Sequence, residues 1–481
     1  MSIKNAGIHG VKWTALSTSV VTLLQISQLF VLSRYLAPEE FGLMAIVMVV
    51  IGFAQSFSDM GVSNAIIHKQ EVTGNQLSSL FWLNILSGLI VFLILVVISP
   101  VISFFYNEPD LTELILLSAI SFVILPFGQQ FRILLQKELH FSALSKIDIL
   151  SAIIGFMTTV ISVVNSYGIY SIIFGLLART SSMSLLLLFI GLKFHKPGFI
   201  FSKEELNGFI SFGLYQMGEK SLNFFSSNMD KIIIGRLFGM EILGFYNLAY
   251  QLMIYPMKII SPVINTVSFP IYSRIQTDMN KLNSLYIHNI EIITFICFPV
   301  YFGLYSISDQ VVNTFYGPGW DQTIILFNII WVLGVTKSIS NSIGPYLLSL
   351  GKAKTGFYLN LLVLCLCSSL LLTGSFVSID TMLWIFVIGN IIVLFPMDYY
   401  IRYKITKMSM VKHIKSYQTN LILSAIMCFC VLQFKKIIPF PTDESIVINI
   451  SFGILLYATL SFIFNKSIIR KHFLKHQQKK A

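Results

Sequence analysis

The sequence predicts an all-α polytopic membrane protein with about 14 transmembrane helices. Of its 481 residues, 55% are hydrophobic and only 11% are charged, and the mean hydropathy is +0.77. A soluble domain carries roughly 25% charged residues, so this chain has too few charges to cover a water-facing surface. Apolar runs of span length follow one another along the chain, and one part of the sequence repeats. These observations exclude a string of soluble domains.

The predicted spans follow from length and polarity. A helix needs about 20 mostly apolar residues to cross the hydrocarbon core. The longest connection between such runs, residues 267–286, is far shorter than the roughly 50 residues of a small folded domain. Function is therefore expected to reside in the helices. The spans are predicted at 12–33, 41–61, 76–98, 111–131, 147–166, 168–192, 208–234, 241–266, 287–308, 321–345, 354–375, 380–402, 417–435 and 446–466.

Basic residues between the spans set the predicted orientation. With the N-terminus in the cytoplasm, the inner side receives most of them, including Arg132, Lys193 and the basic tail 466–480, while Arg34 and Arg236 lie outside. This asymmetry follows the positive-inside rule and predicts that both termini are cytoplasmic. It also accounts for the net charge of +11, so nucleic acid is not predicted as a partner. The tail could equally contact anionic lipid heads.

An internal repeat predicts the architecture. Val31–Ile46 aligns with Ile233–Leu248 without gaps at an offset of 202 residues, as in Arg34 and Arg236. The copies are six predicted helices apart and have the same orientation, so the halves are expected to be parallel repeats about an axis along the membrane normal. The prediction is an N-terminal six-helix bundle (1–200), a C-terminal six-helix bundle (201–408) and two additional helices with a basic tail (409–481). A substrate path is expected where the bundles meet.

Catalytic and metal-binding patterns do not occur in the sequence. The five cysteines lie in apolar segments with spacings that match neither zinc nor redox sites. The histidines form no HExxH pair, and no phosphate-cradling GxxxxGK[ST] loop is present. We therefore predict no cofactor, no metal and no enzymatic activity. A membrane polysaccharide polymerase, the alternative from another class, would be expected to carry a sizeable loop that this chain lacks.

Three segments resemble a known family: GVKWTALS at Gly10–Ser17, and the stretches Phe41–Gln70 and Asp230–Tyr250. They are similar to Wzx-type flippases in the polysaccharide-transporter branch of the multidrug/oligosaccharidyl-lipid/polysaccharide (MOP) superfamily, especially the colanic-acid-exporter-like group. The likeness extends to about residue 400. It implies a MOP/MATE-like fold in the bacterial cytoplasmic (inner) membrane.

The resemblance also implies a function. Such a flippase moves undecaprenyl-diphosphate-linked oligosaccharide repeat units from the inner to the outer leaflet by alternating access, without ATP, for lipopolysaccharide or exopolysaccharide assembly. Expected partners are this lipid-linked substrate and membrane lipids, with polysaccharide polymerase and export machinery as further candidates. A monomer is expected. Family members line their cavity with several arginines, whereas this sequence offers one arginine well inside a span and otherwise lysines.

Cations inside the spans are the predicted head-group ligands. A charged side chain at mid-bilayer costs roughly 2.5–3.5 kcal/mol on insertion scales, so it normally faces a partner or a wet cavity. A diphosphate is an anion that favours charge-assisted donors. The alternatives are snorkelling of the lysines to the interface and a structural ion pair for the arginine. The candidates are Arg179, Lys220, Lys258 and Lys337.

Amides inside otherwise apolar spans predict further cavity-lining positions. Residues 216, 219, 220 and 223 recur at three- and four-residue intervals, so they share one face of a helix. Hydrogen bonding between helices is the alternative for isolated amides. Through the repeat, Thr18 corresponds to Lys220. The candidate lining residues are Gln28, Gln55, Gln216, Asn223, Asn247 and Gln251.

Two acidic residues and one charged cluster complete the predicted site. Glu219 is the deepest carboxylate and the first candidate for ion coupling, because burial raises a carboxylate's pKa toward the working range. Asp59 is a second candidate, with an interfacial capping role as its alternative. Arg34, Asp230 and Arg236 are candidates for an outer gate, or for interfacial anchoring. If the protein were instead a MATE-like, cation-coupled exporter of small amphipathic compounds, buried carboxylates would carry its binding site.

Overall fold

The predicted fold class is confirmed. A computed structural model describes residues 3–58, 72–202, 209–437 and 442–465. This part of the chain is helical, without strands, and holds 12 helices long and apolar enough to cross a membrane, or 13 if one bent pair counts as a single span. The predicted count of 14 is approximate, because the predicted spans 208–234 and 241–266 both overlap a single 43-residue candidate, Lys220–Pro262.

The described residues divide into two compact units. The N-terminal unit comprises residues 1–247 and 360–372, and the C-terminal unit comprises 248–359 and 373–481. The bundle boundaries predicted at 200 and 408 remain predictions. The first helices are α1 (Ile3–Leu32), α2 (Pro38–Ser58), α3 (Gly74–Tyr106), α4 (Asp110–Ala119), α5 (Ser121–Ile124), α6 (Pro126–Lys137), α7 (Phe141–Val164), α8 (Tyr170–Gly191) and α9 (Phe209–Ile275).

The remaining helices are shorter on average, and two of them run into single π-turns, at Val312–Tyr316 and Asn390–Leu394. They are α10 (Met279–Ser306), α11 (Ser308–Val311), α12 (Asp321–Ser340), α13 (Ile343–Ser349), α14 (Ala353–Ser375), α15 (Ile379–Gly389), α16 (Phe395–Thr406), α17 (Met410–Ile437) and α18 (Thr442–Phe464).

The long helix α9 is interrupted once. Gly239 has φ 85° and ψ 175°, so the backbone leaves helical geometry there and resumes it at once. Asp230, before the break, accepts a hydrogen bond from the Tyr246 hydroxyl, after the break, at 2.5 Å. This bond fastens the two helical segments to each other and gives the buried Asp230 a partner.

Gly239→Ala is expected to destabilise the protein, because the conformation at this break is essentially open only to glycine. Strain of this kind costs on the order of 1–3 kcal/mol, although no atom outside the immediate chain lies within 4 Å of the added methyl group. The thermal unfolding midpoint of the purified protein checks this. The control is Gly344→Ala, a helical site with equally open surroundings and no positive φ; equal midpoints for the two variants would contradict the expectation.

The two copies of the sequence repeat touch each other in the N-terminal unit. A Cβ added to Gly42 on α2 would lie 1.9 Å from the Met240 carbonyl oxygen, and one added to Gly244 on α9 would lie 1.8 Å from the Pro38 carbonyl oxygen. Met240 and Pro38 are themselves counterparts at the 202-residue offset. Each copy therefore presents a glycine to the same backbone atom of the other, and the helices cross without side chains between them.

The connector after α8 is attached to the start of α3. Ser78 Oγ accepts the Gly198 backbone N–H at 3.0 Å, and the Trp82 indole donates to the Gly198 carbonyl at 3.0 Å. The Ser202 N–H donates to Ser79 Oγ at 3.2 Å. The α3 side chains thus supply the partners that an irregular segment lacks. Partial burial lowers the pKa of His195 in this connector.

In the C-terminal unit, α10 packs against α12, α17 and α18. Its core includes fully buried tyrosines, whose hydroxyls need partners away from water. Asn289 donates to the hydroxyl of Tyr272 at 2.5 Å, and Tyr346 donates to Asn283. The C-terminal helices are held by polar contacts as well: Asn420 on α17 donates to Thr294 on α10 at 3.0 Å, and Asn465 donates to Asn420 at 2.9 Å.

Candidate functional site

A charged cavity lies inside the N-terminal unit. Its volume is about 410 Å³, which is within the range of small-ligand sites. Helices α1, α2, α6, α7 and α8 supply the walls, together with Leu125 at the junction before α6. The charged lining residues are Arg132, Asp148 and Arg179. The full lining is Ser17, Thr18, Val21, Thr22, Gln55, Leu125, Gln129, Arg132, Asp148, Arg179, Met183 and Leu187.

Arg132 reaches the cavity from α6, which follows a bend of 49° at Leu125 in the segment 110–137. Pro126, as the first residue of α6, lacks the N–H that would continue the preceding helix. Beyond the bend α6 approaches α8 closely, since a Cβ on Gly128 would lie 2.7 Å from the Ser184 Cα. A bend and a close helix contact together fix the position of Arg132.

Arg179 comes from the middle of α8, as the sequence predicted. Its place depends on Gly155 of α7: a Cβ there would lie 2.7 Å from the Arg179 Cβ and 2.9 Å from the Gly175 carbonyl oxygen. The absence of a side chain at Gly155 leaves room for the base of the arginine. Arg179 is half-buried, and its guanidinium interacts electrostatically with both Asp148 and Arg132.

Asp148, the eighth residue of α7, binds Arg132 in a forked geometry. Arg132 Nη1 donates to Oδ1 at 2.7 Å and Nη2 donates to Oδ2 at 2.9 Å. The Arg132 side chain is 38% exposed and that of Asp148 is 23% exposed. The pair is thus accessible from the cavity and is not sealed in the helix interface.

The cavity has a net charge of +1, because two guanidinium groups face one carboxylate. Its other polar atoms are hydroxyls and amides, from Thr18, Gln55 and their neighbours. Arginine presents a planar fork of N–H donors that matches phosphate and carboxylate oxygens. The arrangement is suited to hold an anion.

The structure brings two of the predicted site residues together, Arg179 and Gln55. It also places Thr18, the repeat counterpart of Lys220, on the same wall. Arg132 was expected in a loop on the inner side, because the predicted span ended at residue 131. In the structure it lies within α6, and it supplies the second arginine that the sequence did not show inside a span.

The two predicted cations of the C-terminal unit each contact a tyrosine. Lys258 Nζ lies 5.1 Å from the centre of the Tyr255 ring. Lys337 Nζ lies 5.1 Å from the centre of the Tyr250 ring and donates to its hydroxyl at 3.2 Å. Both lysines are exposed. Cation–π contacts of this kind hold the ammonium group while leaving it accessible, so a head-group role for these lysines stays a prediction.

Several other predicted positions lie on α9. Lys220 and Asn223 are exposed on this helix, and the side chains of Gln216 and Glu219 fall outside the described residues, as does Asp59. Asn247 is buried and Gln251 is half-buried, with the Gln251 Oε1 unpaired among the described residues. Gln28 is half-buried on α1. Their roles as lining and ion-coupling residues stay predictions.

Two residues of the predicted outer cluster contact aromatic side chains. Asp230 binds Tyr246, whereas the guanidinium of Arg236 lies 5.4 Å from the centre of the Phe105 ring. Arg34 is exposed in the turn between α1 and α2. The gate and anchor alternatives for this cluster therefore both stay open as predictions.

Comparisons with known proteins define the class. A family of polysaccharide biosynthesis proteins matches residues 31–325, which is more than half of the chain. The chain belongs to this family. It is a multi-pass membrane protein of the Wzx-type flippase group in the MOP superfamily, as the sequence motifs predicted.

Two relatives cover most of their own length and of this chain. The teichuronic acid biosynthesis protein TuaB of Bacillus subtilis (strain 168) is 33% identical over 392 residues, 81% of each chain. The lipopolysaccharide biosynthesis protein WzxC of Escherichia coli (strain K12) is 32% identical over 360 residues, 75% of this chain and 73% of its own.

Solved structures share the fold at low identity. The lipid II flippase MurJ in an inward closed conformation superposes with a TM-score of 0.74 at 16% identity, covering 96% of this chain and 100% of its own. An inward-facing multidrug MATE transporter gives a TM-score of 0.60 at 14% identity, covering 84% and 95%. These likenesses establish the MOP fold and leave the substrate open.

Proposed function

We propose that the protein moves a lipid-linked oligosaccharide with a diphosphate head group, such as undecaprenyl-diphosphate oligosaccharide, from the inner to the outer leaflet of the bacterial cytoplasmic membrane. The observation that carries this proposal is the cavity with Arg132 and Arg179 and a net positive charge. Family membership supplies the polysaccharide context, and the cavity supplies an anion-binding site inside a membrane-spanning fold.

The cavity lowers the barrier for the polar part of the substrate. Placing a charged group in hydrocarbon costs several kcal/mol, and this cost opposes the passage of a diphosphate through a bilayer without protein. Guanidinium groups in a wet cavity replace its hydration with charge-assisted hydrogen bonds. The volume of about 410 Å³ suits a head group with its first sugar, so the remaining sugars and the lipid tail would extend out of this cavity.

Alternating access is the mechanism that we propose for the transfer. The cavity would bind the head group from the inner side and release it on the outer side, with both termini in the cytoplasm. The lipid tail stays in the bilayer throughout, so only the polar part has to be sheltered. Polysaccharide polymerase and export machinery would receive the product at the outer face.

A multidrug exporter of cationic compounds is the second candidate, because MATE transporters share the fold. The N-terminal cavity argues against it. Its net charge of +1, from two arginines and one paired carboxylate, disfavours a cationic ligand.

Reconstitution in liposomes tests the proposal. The purified protein is inserted in vesicles that carry undecaprenyl-diphosphate oligosaccharide, and an impermeant glycosidase reports the sugars that reach the outer leaflet. We expect the fraction of oligosaccharide that the glycosidase cleaves to rise faster in vesicles with the protein than in protein-free vesicles. A proton or sodium gradient, imposed in either direction, shows whether and how the transfer is coupled.

The same vesicles separate the two candidates. A cationic dye should not be transported by the protein, while the lipid-linked oligosaccharide should be. Dye transport together with unchanged sugar accessibility would reject the flippase and favour the exporter.

A further inference from the structure

The cavity contains its own anion. Asp148 occupies both Nη atoms of Arg132, at 2.7 and 2.9 Å, in the forked geometry that a phosphate or carboxylate ligand would adopt. Any anionic ligand that binds Arg132 through this fork must first replace the carboxylate. Binding in this cavity is therefore an exchange of one anion for another.

The second arginine is held differently. Among the described residues Arg179 makes no forked contact, although it interacts electrostatically with Asp148 and Arg132. An anion with a single charged group that displaces Asp148 forms the same hydrogen bonds to Arg132 that the carboxylate made. The carboxylate then loses its partner, so the exchange gains no free energy. An anion with two adjacent charged groups contacts Arg179 as well, and that second contact makes the exchange favourable.

We infer that Asp148 is a specificity-determining residue, an internal competitor that makes the cavity select diphosphates over monovalent anions and monophosphates. The inference rests on the proposed function, since it takes the diphosphate head group as the ligand. It goes further in naming a residue whose role is to weaken binding, and in predicting which phosphates the cavity rejects.

Exposure of the pair makes the exchange feasible. A fully buried ion pair is expensive to break, because each partner loses its only counter-charge in a medium of low dielectric constant. Here 38% of the Arg132 side chain and 23% of the Asp148 side chain are exposed, so water and ligand can reach both. The Thr18 hydroxyl lines the same cavity and can donate a hydrogen bond to the displaced carboxylate.

Removal of the carboxylate charge tests the inference. Thermal unfolding midpoints of the full-length protein in detergent are measured with increasing inorganic pyrophosphate or inorganic phosphate, at constant ionic strength. The wild type should be stabilised by pyrophosphate at concentrations where phosphate has no effect. Asp148→Asn should bind pyrophosphate at least about tenfold more tightly and should also respond to phosphate, because Arg132 is then free.

Two further variants provide the controls. Arg132→Gln combined with Asp148→Asn should not show the tighter pyrophosphate binding of Asp148→Asn, because the guanidinium that the carboxylate releases is no longer present. The exchange of the pair, Arg132→Asp with Asp148→Arg, should keep the wild-type preference for pyrophosphate, because competitor and arginine are both retained. This exchanged variant and the wild-type comparison decide the question if Asp148→Asn does not fold.

Three results would overturn the inference: equal affinity of the wild type for phosphate and pyrophosphate, unchanged or weaker pyrophosphate binding in Asp148→Asn, or loss of the preference in the exchanged variant. Each would leave Asp148 as a group that only orients Arg132. Failure of the proposed function is seen separately. Selective pyrophosphate binding without transfer of the lipid-linked oligosaccharide would reject the flippase and retain the selective site.

Discussion

Replacement of the cavity charges is expected to abolish transfer of the lipid-linked oligosaccharide. The variant combines Arg132→Gln, Arg179→Gln and Asp148→Asn, so that no charge in the cavity is left without a partner. A hydrogen bond to a charged group contributes roughly 1.5–3 kcal/mol, so the loss of both arginines should lower the transfer rate at limiting substrate by at least about 100-fold. The glycosidase-accessibility assay in liposomes measures this rate.

Two control variants show whether a lower transfer rate results from the lost cavity charges. Arg132→Lys with Arg179→Lys keeps both charges but not the forked geometry, and it should retain more activity than the neutral variant. Lys281→Gln removes an exposed cation that is paired with Asp278, outside the cavity, and should transfer at the wild-type rate. A neutral cavity that still transfers within threefold of the wild type would show that the substrate does not use these arginines.

The second large effect is expected at the crossing of the repeats. Gly42→Ala places a methyl group 1.9 Å from the Met240 carbonyl oxygen, and Gly244→Ala places one 1.8 Å from that of Pro38. Backbone atoms in helices cannot yield as a flexible side chain can, so the helices must separate. The cost should reach or exceed the upper end of the roughly 1–3 kcal/mol that overpacking usually carries. Thermal unfolding of each purified variant measures it.

The matched control is Gly344→Ala, a helical glycine with no atom within 4 Å of the added Cβ. Alanine there should be neutral or slightly stabilising, because it is the better helix former. The double variant of Gly42 and Gly244 should lose less than the sum of the single losses, since one separation of the helices accommodates both methyl groups. Wild-type stability of both single variants would show that the helices have room to spare.

The fold was predictable because the membrane restricts it so strongly. Each predicted span has a helical counterpart, since a run of apolar residues of this length has few other conformations available in a bilayer. The sequence did not show how spans join. The bend of 49° coincides with Pro126, a residue type that interrupts helical hydrogen bonding, but hydropathy does not register it. The immediate resumption of helix after Gly239 is likewise invisible to hydropathy.

The candidate site was predictable only in part. Arg179 stands out because a single charge in the middle of an apolar run is costly. Arg132 lies one residue beyond the predicted end of its span, and Asp148 is the second residue of its own, so both look like interfacial residues in the sequence. The bend before α6 and the close approach at Gly128 bring Arg132 to the cavity, where it binds Asp148 of α7. Residues at the predicted ends of spans thus become part of a site through tertiary geometry, which hydropathy does not show.

The reciprocal backbone contacts of Gly42 and Gly244 also have a consequence for sequence evolution. Duplicated segments normally drift apart, because each copy can change without reference to the other. Gly42 and Gly244 cannot change independently, because each packs against the backbone of the other copy. Any larger residue in one copy displaces both copies. Across homologous sequences the two positions should therefore vary as a single character, small in both copies or altered in both, even where the surrounding halves have lost all likeness.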